Sequence, residues 1–308
     1  MTAATGRGGV IQSQSRDEAG DEAEHRRRRG LVLGPVLMIG TMLCFVVHDA
    51  ILKLLVVRHD GLFLAWGRCL LQALLVGVIA PFIAGPAVLL PRRPMLQLAR
   101  GFCLALTSIT MIVASRTLPL ADIYVIAFGA PLIATILAAL VLKEHATGRQ
   151  WLLIALGFLG VLIALRPDAP TASLILVLPV LQAAGNGTLH VLTRIGTRTE
   201  HPLSQLFQVA LCGSLLLAPA LPWVWTSMPP ADWALLAGAG VIVTLGHFLL
   251  IKAFELAPTV RVSPMVYFQI VWASLAGFLL FGDVPGFSTL AGAAVIVTSG
   301  ILLIRSRA

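Results

Sequence analysis

Charged side chains are scarce in this sequence. Asp, Glu, Lys and Arg make up 12% of its 308 residues, whereas hydrophobic residues make up 58%. Soluble globular domains carry about 25% charged residues, so the composition excludes an ordinary soluble domain and indicates a membrane protein with many spans. The net charge of +8 then does not point to nucleic acid, because the positions of the cations matter more than their sum.

Common motifs of metal binding and catalysis are also missing. The four cysteines lie in apolar runs without C-x-x-C spacing, so neither a disulfide framework nor a zinc site is supported. None of the three lysines follows a glycine, which excludes the phosphate-binding loop of an ATP-driven pump. The sequence has no H-E-x-x-H and no G-x-S-x-G, and no cofactor or metal is predicted. His48 and His190 leave an intramembrane enzyme open as an alternative.

The first 30 residues differ from the rest of the chain. They are polar, rich in Gly, Ser and Gln, and end in four arginines at 26–29. Such a composition buries too little apolar surface to fold, so residues 1–30 are predicted to form a disordered cytoplasmic tail. They do not form a secretory signal, because the first apolar run begins late and has no small-residue cleavage site.

Ten apolar stretches follow, each long enough to cross a hydrocarbon layer, which takes about 20 helical residues. The links between them are short and carry turn residues, so no soluble domain is inserted. The predicted spans cover residues 31–55, 62–83, 95–115, 119–142, 150–166, 173–194, 203–225, 232–254, 260–281 and 287–304. The sequence therefore predicts an all-α membrane protein with ten transmembrane helices.

Lysine and arginine are distributed unequally between the two sides of this arrangement. With a cytoplasmic N-terminus, the inner side holds 15 cations and the outer side five, without Arg7 and Arg16 of the tail. The inner set is Arg26, Arg27, Arg28, Arg29, Arg92, Arg93, Arg100, Lys143, Arg149, Arg194, Arg198, Lys252, Arg261, Arg305 and Arg307, and the outer set is Lys53, Arg58, Arg68, Arg116 and Arg166. Because cations favour the cytoplasmic side, both termini are predicted to be cytoplasmic, in a bacterial inner membrane.

The two halves of the sequence are similar at an offset of about 140 residues. The segment VLKEHATGRQW (141–151) closes the fourth span, and LFGDVPGFSTL (280–290) closes the ninth. Each half has five spans, an odd number, so the second half is predicted to be inverted relative to the first. Inverted repeats are typical of transporters, which hold the substrate near the membrane midplane between the repeats.

Three segments resemble the EamA-type repeat of the drug/metabolite transporter superfamily. They are TLPLADIYVIAFGAPLIATILAALVLKE (117–144), GFLGVLIALRP (157–167) and HDAILKLL (48–55). The resemblance implies ten helices in two inverted five-helix repeats, residues 31–167 and 173–305. It also implies secondary transport of a small organic solute such as an amino acid, S-adenosylmethionine or riboflavin. Asp283 departs from the family pattern, which usually has Glu there.

Charged residues inside the first spans form one candidate cluster. Asp49 and Lys53 are four residues apart with the acid first, the order that favours contact on one helix face. Arg68 and Asp122 are predicted at the same level, near the outer surface, and His48 adjoins Asp49. These residues either neutralise each other at the outer rim or form a gating or ion-coupling network, since ionisable residues within a membrane mark functional sites.

The sixth span carries a polar stripe. Gln182, Asn186 and His190 recur every four residues, so they share one helix face. A stripe facing lipid would leave hydrogen-bonding groups unsatisfied. The stripe is therefore predicted to face either a neighbouring helix or a water-filled cavity, and the cavity would make these residues substrate-binding.

Three further embedded residues are candidates for substrate contact. His247 and Tyr267 lie in spans eight and nine, which the family resemblance places around the cavity. Tyr124 offers an aromatic ring on which a planar substrate could stack, although aromatic residues in apolar spans often only pack.

Together these patterns predict a secondary active transporter that works by alternating access, with an intramembrane enzyme or a channel-like facilitator as the alternative. The predicted partners are a small-molecule substrate and the lipid bilayer, without nucleic acid. Protons and a counter-substrate both stay open as the coupling partner.

Overall fold

The regular structure described for this protein is helical. The computed structural model describes residues 6–115, 126–165, 177–281 and 286–306. Ten helices of eight or more residues lie in these ranges: α1 Gly6–Leu55, α2 Gly61–Ala84, α3 Pro94–Ser115, α4 Ala130–Leu137, α5 Gly148–Leu165, α6 Val177–Gly196, α7 Pro202–Leu217, α8 Pro230–Leu256, α9 Phe268–Phe281 and α10 Phe287–Arg305. A short helix, Thr259–Val262, and a 3₁₀ turn, Ser263–Tyr267, lead into α9.

Helix boundaries coincide with residues that favour starts and stops. Proline occupies the first position of α3, α7 and α8, where the missing N–H costs no helical hydrogen bond. The Asp60 carboxylate accepts a hydrogen bond from the Leu62 amide at 2.7 Å and caps α2. Gly85, with φ of 79°, ends α2 in a conformation that other residues adopt only with strain. Local sequence therefore determines where these helices begin and end.

Among the described residues, seven helices are long and apolar enough to cross a membrane by length and composition. They are Arg29–Leu55, Gly61–Ala84, Pro94–Ala114, Pro202–Val224, Pro230–Leu256, Thr259–Leu279 and Phe287–Arg305. Two apolar helices, Ala130–Leu142 and Gly148–Ala164, are shorter. Helix α6 has 20 residues and is long enough to cross a membrane, but polar side chains recur along the helix. The all-helical membrane fold is confirmed, whereas the number of ten spans stays a prediction.

The N-terminal segment is described from Gly6 onward, and the domain boundaries predicted from the sequence stay predictions. The structure begins α1 at Gly6, so residues 6–30 are helical and continuous with the first span.

The most extensive helix contacts all join the first half, α1 to α5, with the second half, α6 to α10. Helix α1 packs on α8 and α9, α5 on α10, α3 on α6 and α7, α2 on α7, and α4 on α6. Glycines permit the closest of these approaches. A Cβ atom at Gly34 would lie 2.6 Å from Ala257 Cβ in the α1–α8 contact, and one at Gly292 would lie 2.5 Å from the Gly160 carbonyl oxygen in the α5–α10 contact. The interior of the bundle is therefore an interface between the two halves.

Candidate functional site

The polar stripe of α6 lies inside the bundle, between helices of the first half. Gly185 packs against Thr107 of α3, and Gly187 packs against Ala130 and Ile133 of α4. This close packing on both sides is possible because glycine lacks a side chain. It places the three polar residues of α6 at the interface between the halves.

The members of the stripe differ in burial and in hydrogen bonding. Gln182 and His190 are buried, whereas Asn186 is half-buried. The Gln182 amide nitrogen donates a long hydrogen bond of 3.5 Å to Met111 Sδ, and its buried carbonyl oxygen has no partner among the described residues. Neutral amides pair poorly with thioether sulfur. The stripe therefore keeps unused hydrogen-bonding capacity in the interior.

His190 connects the stripe to the segment before α9. Its Nδ1 lies 3.1 Å from Ser263 Oγ, and its ring packs at 5.2 Å from the Phe254 ring. Tyr267 follows Ser263 by one turn and is 1% exposed, packed beside the rings of Phe128 and Phe158. The Tyr267 hydroxyl is buried and has no partner in the described ranges. A buried hydroxyl without a partner is costly, so this group is an unusual feature of the interior.

His48 and Asp49 interact at the α1–α9 contact. His48 Nδ1 lies 2.9 Å from Asp49 Oδ1, and Asp49 Oδ2 lies 3.5 Å from the Gln269 side-chain nitrogen of α9. His48 is buried, and its Nε2 has no partner among the residues described. Asp49 is half-exposed and Lys53 is exposed. Asp49 therefore contacts its sequence neighbour and, through Gln269, the second half of the chain, and its pairing with Lys53 stays a prediction.

Arg68 is buried in α2 at the level of Leu236 in α8, which contacts the neighbouring Gly67. Its hydrogen bond to Cys69 Sγ, at 3.5 Å, is long. Arg68 lies within electrostatic range of His48 and of His247.

His247 itself is held by local contacts. Its Nδ1 lies 3.0 Å from the Val243 carbonyl oxygen of the same helix, and its ring lies 5.1 Å from the Phe45 ring of α1. These contacts fix the ring at the α1–α8 interface. The remaining two candidates, Tyr124 and Asp122, lie outside the described residues.

A charged cluster that the sequence did not predict joins the halves at one end of the bundle, here named the Glu144 end. Glu144 Oε1 accepts a hydrogen bond from Arg194 Nε at 3.1 Å, and its Oε2 accepts one from the Thr259 amide at 2.8 Å. Arg194 also donates to the Phe254 carbonyl oxygen. Nearby, the buried Glu200 carboxylate accepts hydrogen bonds from the backbone amides at 92 and 93. Both carboxylates therefore connect the first half with the second.

A second such cluster lies at the opposite end, named the Asp232 end. Asp232 is 2% exposed; its two oxygens lie 3.0 Å from an Arg58 nitrogen and 2.8 Å from His59 Nε2. His59 Nδ1 lies 3.2 Å from the Thr226 hydroxyl. Arg58 and His59 belong to the link between α1 and α2, so this cluster also joins the two halves. The sequence feature that could have indicated this cluster is Asp232, a carboxylate that follows two prolines and lies in the first turn of a helix.

The arrangement is suited to binding a small polar solute. The described residues contain no group of three or more His, Cys, Asp or Glu side chains that could hold a metal ion. They do contain buried donors and acceptors, on α1, α2, α6 and the 259–267 segment, that lack good partners. Such groups fix the orientation of a small polar ligand.

Comparison with known proteins adds to this picture. The sequence pattern of the EamA-like transporter family matches residues 32–166 and again residues 173–305. A solved structure with 17% sequence identity shares the fold with a TM-score of 0.73, over 89% of this chain and 97% of that chain.

Three relatives illustrate the range of named functions. An S-adenosylmethionine uptake transporter of Rickettsia bellii is 28% identical over 84% of this chain and 89% of the relative. The pseudopaline exporter CntI of Pseudomonas aeruginosa is 27% identical over 89% of this chain and 96% of the relative. A riboflavin transporter of Vibrio cholerae is 33% identical over 55% of this chain and 57% of the relative. All three names indicate transporters of small metabolites rather than enzymes, and with two family matches that span most of its length, the chain belongs to the EamA-like transporter family.

Proposed function

We propose that this protein is a secondary active transporter that moves a small organic metabolite across the bacterial inner membrane by alternating access. The observation that carries the proposal is the buried, incompletely hydrogen-bonded polar stripe of α6, which lies between two copies of a transporter-family repeat. In such transporters the substrate binds near the midplane at the repeat interface. Gln182, Asn186, His190 and Tyr267 are the proposed substrate contacts, and His247 and Tyr124 stay candidates for the same role.

The two charged clusters suit the two gates that alternating access requires. Each joins the first half to the second, so one must separate for the interior to open at that end. We assign the Glu144 end to the cytoplasm, because 15 cations lie on that side of the ten-span arrangement and five on the other. Opening then alternates between Glu144–Arg194 on the cytoplasmic side and Asp232–His59 on the outer side.

S-adenosylmethionine is the first substrate to test. Relatives named for its uptake match most of this chain, and its polar groups are of the kind that the unpartnered groups of the interior could bind. The pseudopaline exporter shows that similar chains are also named for export. In a transport assay, the solute gradients that the experimenter applies set the direction of movement. Substrate binding does not depend on that choice, so it is the property to measure first.

The position of the substrate can be tested by thiol labelling. In a variant with the four native cysteines replaced by alanine, Asn186→Cys is expected to react with a small aqueous thiol reagent. S-adenosylmethionine should slow that reaction, because a bound solute covers the half-buried position. The rate of modification with and without the compound is the measurement.

Ala184→Cys is the matched control, since it lies two residues away on the far side of α6. We expect little reaction there, and no protection. Reaction at 184 with none at 186 would show that the stripe packs against a helix rather than lining a cavity.

A further inference from the structure

We propose that the buried side chain of Gln205 is a conformational switch that keeps the closed Glu144 end ready to open. Its amide lies at the interface between the halves without hydrogen-bond partners, so the closed state is less stable than it would be with an apolar residue there. The inference rests on the alternating access proposed above, and it names what sets the balance between the closed and open states at this end.

A buried arginine joins α3 of the first half to α6 and α7 of the second. Arg100 is 2% exposed, and its Nη1 donates hydrogen bonds to Gln97 Oε1 at 2.6 Å and to the Gln205 carbonyl oxygen at 3.2 Å. Its Nε donates to Thr193 Oγ1 at 3.3 Å. The guanidinium therefore connects the backbone of α7 and the end of α6 to α3.

The link between α6 and α7 adds a second connection to the first half. Glu200 is 6% exposed, and its carboxylate accepts hydrogen bonds from the backbone amides of Arg92 at 3.1 Å and Arg93 at 2.7 Å, just before α3. The beginnings of α3 and α7 are thus held together twice. If the two halves move apart at this end, both sets of contacts must separate.

The side chain of Gln205 does not share in these contacts. It is 0% exposed, and neither its Oε1 nor its Nε2 has a partner among the described residues. It packs against Gly196 at the end of α6, where a Cβ atom would lie 2.9 Å from Gln205 Cδ. The adjacent Ser204 Oγ is also buried without a partner in the described ranges. The backbone of Gln205 is therefore held, while its side chain adds no hydrogen bond to the closed state.

A buried amide without partners lowers the stability of the state that buries it. Each unsatisfied group carries the cost of losing its water, whereas an apolar side chain of similar shape carries no such cost. Water reaches these groups when α3 and α7 separate, so the cost belongs to the closed state. Gln205 therefore favours opening and opposes the contacts of Arg100 and Glu200.

Gln208, one turn further along α7, has the opposite arrangement. It is 8% exposed, and its side-chain nitrogen donates a hydrogen bond to the Leu89 carbonyl oxygen of the first half. This bond is made in the closed state and stabilises it. The two glutamines are both buried on one helix but have opposite expected effects, so Gln208 provides the matched control.

The first measurement is the unfolding temperature of the purified protein. Methionine is unbranched like glutamine and carries no amide. Gln205→Met should raise the unfolding temperature by about 2–4 °C, because it removes two unsatisfied groups. Gln208→Met should lower it by a similar amount, because it removes a hydrogen bond that is made.

The second measurement is the rate at which Cys103 reacts with a small aqueous thiol reagent, in a variant whose other three cysteines are alanine. Cys103 is 8% exposed on α3, one turn from Arg100. The reagent reaches it when α3 separates from the second half, so the rate reports the open fraction. Gln205→Met should slow the reaction about tenfold, and Gln208→Met should accelerate it.

The two measurements together decide the proposal. An unchanged or lower unfolding temperature in Gln205→Met would overturn it, since the amide would then be hydrogen-bonded in the closed state. A raised temperature with an unchanged Cys103 rate would also overturn it, because the amide would lie outside the interface that opens.

Gln205→Leu is a second apolar substitution and should shift both measurements in the same directions as Gln205→Met. If neither variant accumulates in the membrane, the amide supports the fold and the proposal fails. Both expected shifts in a protein that transports no solute would support the switch and count against the proposed transport function alone.

Discussion

Replacing Gly292 with leucine is expected to abolish the folded protein. A Cβ atom at this position would lie 2.5 Å from the Gly160 carbonyl oxygen and 2.6 Å from Ala164 Cβ, so backbone of α5 and α10 would have to separate. Adding methylenes to a packed interior costs about 1–3 kcal/mol, and more where a backbone must move. Leucine adds four carbons at once. Size-exclusion chromatography of the detergent-solubilised protein should therefore show aggregate instead of a monodisperse peak.

Gly238→Leu is the matched control for this substitution. Gly238 is exposed on α8, and nothing lies within 4 Å of the position its Cβ atom would take. The same added volume should be tolerated there. Equal yields and equal thermal stability for the two variants would contradict the close packing of α5 on α10.

Asp232→Asn is expected to lower the free energy of unfolding by about 2 kcal/mol. A hydrogen bond to a charged group contributes about 1.5–3 kcal/mol, and the substitution removes the buried carboxylate that His59 and Arg58 contact. The Asp232 side chain is 4% exposed and that of His59 is 5% exposed, whereas Arg58 is 54% exposed and can turn to solvent. The expected value therefore lies at the lower end of the range. Unfolding of the purified protein in a graded denaturant series measures it.

An exposed ion pair provides the comparison. Lys252 and Glu255 are 2.8 Å apart, with side chains 36% and 39% exposed. Exposed pairs contribute about 0–1 kcal/mol, so Glu255→Gln should change stability far less than Asp232→Asn. Similar effects in both variants would mean that the Asp232 cluster does not hold the halves together.

Much of the helical architecture follows from the sequence. Apolar length predicted the helices that are long enough to cross a membrane, and residues such as Asp60, Gly85 and Pro230 set the boundaries through capping and turn chemistry. The family resemblance drawn from three segments is confirmed by the matches to both halves. Local rules suffice for these features because each depends on residues close together in the chain.

The contacts of the candidate site were less predictable. The spacing of Asp49 and Lys53 suggested a pair on one helix, yet Asp49 also contacts His48 and, across 220 positions, Gln269. Glu144, two residues after the fourth predicted span, joins Arg194 and the Thr259 amide of the other half. Such partners depend on which helices pack together, and helix periodicity shows only which face is polar.

Solute counterflow in proteoliposomes tests the proposed transport function most directly. Vesicles containing the wild-type protein are loaded with excess unlabelled S-adenosylmethionine and diluted into a trace of labelled compound. A carrier that alternates access returns labelled solute in exchange for unlabelled, so the label should transiently accumulate inside above the external concentration, and protein-free vesicles should show no such accumulation. Entry of the label that only rises to equilibrium would indicate a channel, and that result would contradict alternating access between the two halves.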